Sequence, residues 1–489
     1  MEAVMSGLSL LELLSEYTSS GIIPMHMPGH KRNIELLGTN LPYQKDITEI
    51  PGFDNLQNSE GILKETALLA AKIYGSGKAY LSVNGSTGGI LAAIHACTRP
   101  HDRVIMARNC HKSVYNAIEM NMLRPVYIAA PMDEDSGITG SIESESVRTL
   151  LKKTPDAKLI TITSPTYEGI SSDIRNIAAA AHEYNVPLLV DAAHGAHLGF
   201  SDYFAESAVQ AGADIVVMSL HKTLPALTQC ALIHLQGSLV SEAAVQNALN
   251  IFQTSSPSYI LLSSIDYCLR LIQSEGTMLF SQYELRLRKF GEDMRGLRCL
   301  RLLCGGNDAV QNHPCICSFD PGKLVILTQG TDIDGPQLAA LLRTEYRIET
   351  EMAAPDYIIA VTGICDTDES FKRLAEALLE IDKGLKKTPF KAAYNPCFIS
   401  EYICAPCEAL GMEGEMTALE GANGRISLEY VWLYPPGIPL IIPGEVIPEW
   451  LPDTCRRLAG IKGISLHSTN GGLPDGIFCK KTKTEDDIK

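Results

Sequence analysis

From about residue 60 the chain alternates short apolar runs with stretches whose apolar residues recur at helical spacing. AYLSVNG (79–85), RVIMA (103–107), PVYIA (125–129), AKLITIT (157–163), VPLLVDAAH (186–194), GADIVVMS (212–219) and ALIHL (231–235) read as strands. Between them ILKETALLAAKIYG, STGGILAAIHACT, HKSVYNAIEMN, SESVRTLLKK and DIRNIAAAAHEYN read as helices, the first ending at Gly75. Such alternation predicts an α/β domain with a largely parallel sheet. A long helical stretch follows over about 257–298. KLVILTQ, PQLAALLRTEY, YIIAVTG and ESFKRLAEALLEIDKG then suggest a smaller α+β unit. The division expected is 1–58, an N-terminal helix and interface arm; 59–311, the large α/β domain; 312–390, the small α+β domain; and 391–489, a C-terminal domain richer in Pro and Gly.

Composition narrows the class. At 489 residues the chain exceeds one ordinary core. Apolar residues make up 45% and charged residues 20%, which is globular. A net charge of −16 without a basic stripe argues against a nucleic-acid partner. No apolar run is long enough to span a membrane. The segment MEAVMSGLSLLELLSEYTSSG, with three Glu and no Lys or Arg, reads as an amphipathic helix and not a secretion signal. The fourteen Cys form no dense framework, so reduced thiols and a cytoplasmic location are expected. The close pair Cys404 and Cys407 has no second pair of ligands at zinc spacing.

Four places at strand ends carry candidate chemistry, where ligands bind in open sheets. Asn84-Gly85-Ser86-Thr87-Gly88-Gly89 opens a helix after a strand. Its free N–H groups and hydroxyls suit an anion such as a phosphate, and a plain helix cap reads equally well. Asp191 leaves the end of a buried strand, where it serves either a cationic ring nitrogen or the following turn. Ser219-Leu220-His221-Lys222 follows ADIVVM; burial would make the amine of Lys222 a nucleophile, and a surface loop lysine is the alternative. Asn109-Cys110-His111-Lys112-Ser113 sets His111 where its ring can stack on a planar group or serve structure alone. His194 and His197 have a spacing open to metal ligation, but too few partners accompany them, and no metal is assigned.

Together HMPGHK (26–31), NGSTGG (84–89), RNCHKS (108–113), SPTYEG (164–169), DAAHGAH (191–197), SLHKTLPALTQ (219–229) and YPPGIPLIIPGE (434–445) resemble the Orn/Lys/Arg decarboxylase family of pyridoxal-phosphate (PLP) enzymes. They cover nearly the whole chain in order, and the likeness is to the shorter members without an N-terminal receiver-like domain. The resemblance implies the aspartate-aminotransferase-like fold, PLP fold type I, with smaller α+β C-terminal domains. It also implies a homodimer or higher homo-oligomer with shared active sites.

Carried over, it makes Lys222 the Schiff-base lysine, Asp191 the partner of the pyridine nitrogen and His111 the stacking ring. Ser86, Thr87, Gly88, Ser219 and His221 hold the phosphate, and Ala193 packs on the other ring face. His194 approaches the cofactor or substrate, and Thr166 lines the pocket. Ala192 stands where a polar residue is common in the shorter members, which bears on substrate choice. A distal carboxylate is needed for a basic substrate. Glu445 is favoured over Glu349, Glu351, Asp356, Asp46 and Glu49, and His26 is a candidate to complete a neighbour's site.

The expected reaction is decarboxylation of a basic L-amino acid, arginine first and then lysine or ornithine. The alternatives are an aminotransferase or other amino-acid lyase, and a PLP-binding protein without turnover. An aminotransferase grips the substrate carboxylate with an Arg, for which Arg343 and Arg347 are the candidates.

Overall fold

The apolar runs are strands buried on both faces, which is why they lack alternation. The computed structural model describes residues 8–20, 28, 34–389, 400–434, 437–460 and 465–481. Two compact units share the chain: Met1–Cys97 with Pro187–Glu284 and Gly363–Cys365, and Thr98–Val186 with Leu285–Thr362 and Asp366–Lys489.

In the first unit four strands run in the order Lys78–Ser82, Ala231–Leu235, Ile215–Ser219, Leu188–Asp191. The first two pairings are antiparallel and the third is parallel. Their register fixes the functional edge. Ser82 and Ser219 both face Ala231, and Asp191 faces Val217 on the adjoining parallel strand. The turns after Ser82, Asp191 and Ser219 therefore emerge on one side of the sheet. At the opposite end Asp214 ties two strands together, its carboxylate accepting from Leu188 N at 2.8 Å while its own N–H donates to the Leu188 carbonyl at 3.0 Å.

Helix ends follow local rules. Ser9 and Glu12 form a capping box on Leu10–Ser19, and the buried Leu10 and Leu14 dock that helix. Its first N–H donates to Asp266 at 3.0 Å, a carboxylate that also accepts from Thr66 and Arg270. Asp54 stands at the start of Ile62–Tyr74 and accepts from the N–H groups of Gly61 at 2.8 Å and Leu63 at 3.0 Å. Gly75, at φ 74°, ends that helix in the left-handed conformation, as the sequence predicts. The long helical stretch is a single helix, Tyr259–Asp293.

In the second unit Ala157–Thr163, Arg103–Ala107 and Arg124–Ile128 pair in parallel. A second, antiparallel sheet orders Met352–Ala354, Tyr357–Val361, Lys323–Leu327 and Arg301–Leu302. The C-terminal part is more regular than its Pro and Gly content suggests. Val431–Tyr434 lies between Ile438–Ile441 and Ser465–Ser468, while Gly414–Ala418 pairs with Gly476–Lys480. Their common core is Val431, Leu440, Ile441, Ile447, Leu451, Leu458 and Ile477 with their neighbours.

An ion network pins three segments of this unit. The enclosed ring of His313 has Nδ1 at 2.9 Å from Asp133 and Nε2 at 2.8 Å from Asp308. Asp133 also accepts from Ser136 N at 2.8 Å, and Asp308 from Cys304 N at 3.0 Å. Asp133, Asp135 and His313 have ligand-type atoms within 4.8 Å of one another. Each is already engaged, Asp135 by Arg301 at 2.6 Å, so the group reads as an ion network.

Burial pushes the His313 imidazole down, but its two carboxylates outweigh burial and raise it above the ordinary 6.5. Burial likewise opposes ionisation of Asp133, but Ser136 and His313 bring it below its ordinary 3.8. The thiols of Cys304 and Cys315, which also face this cluster, are raised by burial and by the neighbouring carboxylates. A raised histidine contributes stability fully present below 6.5 and lost as pH rises through its folded value. The depressed Asp133 contributes stability present above 3.8 and lost as pH falls through its own.

His313→Gln is expected to lower the stability of this unit by about 3 kcal/mol, since it strands the buried Asp133 and the partly buried Asp308. The difference from wild type should be largest near about pH 6 and shrink toward about pH 9. Melting curves at the two pH values check this, and a difference independent of pH would refute the charged pairing.

Candidate active site

The turn after Lys78–Ser82 begins the functional edge. Gly85 has φ +69°, a conformation that side chains disfavour, and its N–H donates to the Gln229 carbonyl at 2.9 Å. The helix Gly85–Cys97 starts there. Gly89 faces the sheet: a Cβ would lie 2.8 Å from Val217 and 3.0 Å from Ile233. At Gly88 it would lie 2.9 Å from the Asn84 Cβ. Gly85 thus serves the turn, and Gly88 and Gly89 the close approach of the helix to its neighbours. Ser86 and the exposed Thr87 remain in the first turn, whose N–H groups suit an anion. The Ser219 hydroxyl meets the Ser86 hydroxyl at 3.0 Å, so two elements contribute donors to one place.

Lys222 lies in the short helix Leu220–Thr223, which begins as the strand Ile215–Ser219 ends. Its amine stands 2.9 Å from Nε2 of His194. His194 is buried in the turn after Asp191. Asp191 is itself 2% exposed and accepts from Ala193 N at 3.1 Å. Burial raises its carboxyl above the ordinary 3.8, while the Lys222 charge and the Ala193 N–H pull the other way. His221 is half-buried, with Nδ1 at 3.1 Å from the Cys230 carbonyl. Only a protonated nitrogen can pair with a carbonyl, so Nδ1 carries the hydrogen. Burial lowers this imidazole, the Cys230 carbonyl raises it, and Lys222 adds to the lowering. An anion beside Nε2 would favour protonation there too.

The first unit thus assembles Ser86, Thr87, Gly88, Asp191, Ala193, His194, Ser219, His221 and Lys222 on one edge. This set fits PLP: an amine for its aldehyde, a buried carboxylate for a ring-nitrogen cation, and converging hydroxyls at a helix N-terminus for its phosphate.

His111, Thr166 and Glu445 belong to the second unit. His111 caps the helix Lys112–Met120, accepting from Ser113 N at 3.2 Å. Thr166 donates to the buried Glu168 at 3.0 Å, which also accepts from Tyr357 at 2.9 Å. Glu445 is not open to a substrate here. It is 0% exposed, and its oxygens accept from Arg108 at 3.2 and 3.1 Å and from Ile442 N at 3.1 Å. Reading it as a substrate ligand is corrected for that reason: its charge is already matched. Among the other carboxylates, Glu351 accepts from Tyr167 at 2.6 Å and Glu349 from Arg343 at 2.7 Å, which leaves Arg343 committed to a surface pair. His26 lies outside the described residues.

Arg108, Gln229 and Glu168 were missed as contributors, although each sits inside a motif already singled out. A guanidinium at a strand end beside the RNCHKS turn was the available signal for Arg108.

Residues 9–340 match the major domain of Orn/Lys/Arg decarboxylase, and residues 393–456 match its C-terminal domain. This chain belongs to the Orn/Lys/Arg decarboxylase family. Arginine decarboxylase of Bacillus subtilis (strain 168) is 33% identical over 446 residues, covering 89% of this chain and 90% of that one. Constitutive lysine decarboxylase of Escherichia coli (strain K12) is 24% identical over 472 residues, covering 78% of this chain and 65% of that one. The crystal structure of the Francisella novicida lysine decarboxylase superposes with a TM-score of 0.81 at 18% identity, over 97% of this chain and 81% of that one. The family fold is therefore the one expected, PLP fold type I with smaller C-terminal domains.

Asp191→Asn separates cofactor chemistry from folding. A raised carboxyl favours the fold while protonated and costs stability once pH exceeds its folded value. The cofactor-free variant should therefore melt at or above wild type at neutral pH. Activity with PLP should fall by about 10²-fold or more. A variant melting well below wild type would mean that the ionised Asp191 supports the fold.

Proposed function

We propose that this chain is a PLP-dependent decarboxylase of a basic L-amino acid, with arginine as the favoured substrate and lysine or ornithine next. The observation that carries the reading is the pairing of Lys222 with His194 beside the buried Asp191. The arginine preference rests on the Bacillus relative, which covers most of both chains at the higher identity.

Bound PLP supplies an electron sink for the pair left when the carboxylate departs as carbon dioxide. Asp191 holds a proton on the ring nitrogen through a charge-assisted bond in a dry setting. Ser86, Thr87, Ser219 and His221 would hold the cofactor's phosphate, and Ala193 and His111 would be the residues that contact its ring. Lys222 provides the amine that anchors the aldehyde carbon. Lys222 and His194, 2.9 Å apart, form a pair between which a proton can be held or passed to the substrate α carbon.

A homodimer or higher homo-oligomer belongs to this reading. The exposed Leu68, Leu227, Ile251 and Tyr267 of the first unit support it. A cytoplasmic location also belongs to this reading. Among the described residues no helix is long and apolar enough to cross a membrane. The division at residues 58, 311 and 390 is retained as its domain plan.

The purified protein is expected to take up PLP and to release carbon dioxide and the matching amine when offered arginine, lysine and ornithine in parallel. Lys222→Ala should lose both the visible absorbance of bound PLP and turnover. Keto acid in place of carbon dioxide would replace this reading with aminotransfer. A protein that takes up no PLP would end it.

A further inference from the structure

Arg108 directly follows the strand Arg103–Ala107 and stands three residues before His111. Its guanidinium is enclosed and gripped from several sides. Nε and Nη2 donate to the two Glu445 oxygens at 3.2 and 3.1 Å. Nη1 donates to the Pro439 carbonyl at 2.8 Å and to Tyr115 at 3.1 Å, and Nη2 to the Leu440 carbonyl at 3.3 Å. Tyr115 closes the loop, its hydroxyl donating to the Arg108 carbonyl at 2.5 Å. The backbone is held as well: Arg108 N donates to Ile128 at 3.0 Å and Cys110 N to Ala107 at 3.2 Å. The turn Asn109–His111 thus springs from a residue fixed in both position and rotation.

Stability alone does not call for this pair. Replacing a buried ion pair by apolar groups of similar volume is often neutral or stabilising, because desolvation offsets most of the attraction. The pair adds direction: a planar fork of donors accepts few orientations. Burial raises Glu445 above its ordinary value despite the guanidinium beside it. We propose that Arg108, gripped by Glu445, is the positioning residue for the turn that presents His111, so that the C-terminal segment ending at Glu445 helps set cofactor retention. This rests on the reading of His111 as a ring-contacting residue. Glu445 then holds Arg108, and the distal charge of the substrate is read elsewhere.

The test titrates full-length, cofactor-stripped protein with PLP by visible absorbance and follows melting of the cofactor-free form. Four proteins are compared: wild type, His111→Ala, Arg108→Met/Glu445→Leu, and the triple variant. The double variant strands the Pro439 and Leu440 carbonyls and Ile442 N and should melt below wild type, while still folding, and should bind PLP about tenfold more weakly, the scale of losing an outer support. Adding His111→Ala to it should cost no more than about twofold further, because that contact is already lost. If the double variant keeps wild-type affinity while His111→Ala alone weakens binding, the pair is structural and the positioning role is overturned. If His111→Ala alone changes nothing, the reading of His111 fails and takes the proposal with it. Should the double variant not fold, Glu445→Gln keeps the shape, removes the charge and is judged by the same affinities.

Discussion

A carboxylate held out of water at the end of a buried strand demands a cation, and Asp191 imposes that demand on everything around it. Water would solvate the anion at no cost; the strand Leu188–Asp191 denies it water. One backbone N–H from Ala193 and the charge of Lys222 offset the penalty only in part, so its carboxyl stays raised. A cationic ring nitrogen would complete the compensation. The same burial that makes an ionised Asp191 costly would make it effective toward a cationic ring, because an ionic hydrogen bond strengthens where the dielectric is low.

The register of the sheet turns this single demand into a site. Asp191 and Ser219 end neighbouring parallel strands, and Ser82 ends a strand aligned with them through Ala231. Three turns far apart in sequence thus deliver a carboxylate, an amine and a hydroxyl pair to one edge. Gly89 lets the helix Gly85–Cys97 lie close against Val217 and Ile233 and so sets where Ser86 stands. Packing, and not ligand contact, constrains that glycine, but the constraint acts on the ligand-facing turn.

Much of this was legible in the residues. Strands buried on both faces appear as unbroken apolar runs, and the chemistry sits at their carboxyl ends because loops there escape the sheet. Lys222, Asp191 and the Ser86 turn could therefore be found by position and type. The partner of Glu445 could not, since Arg108 is 337 residues away and no local pattern links them. An acid ending an apolar segment looks the same whether it awaits a substrate or matches a buried guanidinium. The His313 network was hidden likewise: Asp133 lies 180 residues from it, and only folding brings the two together. The regular strands of the C-terminal part were obscured by their Pro and Gly content; among the described residues Gly437, Gly444 and Gly471 take positive φ between elements, while Pro439 lies within the strand Ile438–Ile441.

The contact between Lys222 and His194 links the electrostatics to proton movement. At 2.9 Å one proton lies between the two nitrogens. An ammonium at Lys222 makes His194 Nε2 the acceptor, which puts the imidazole proton on Nδ1 and keeps the ring neutral. With PLP bound, Lys222 would hold the cofactor and His194, 2.9 Å from its amine, would be placed to exchange a proton with it. Such a pair would let a proton be supplied from within the protein, without entry of water, which would weaken the charge compensation that Asp191 requires.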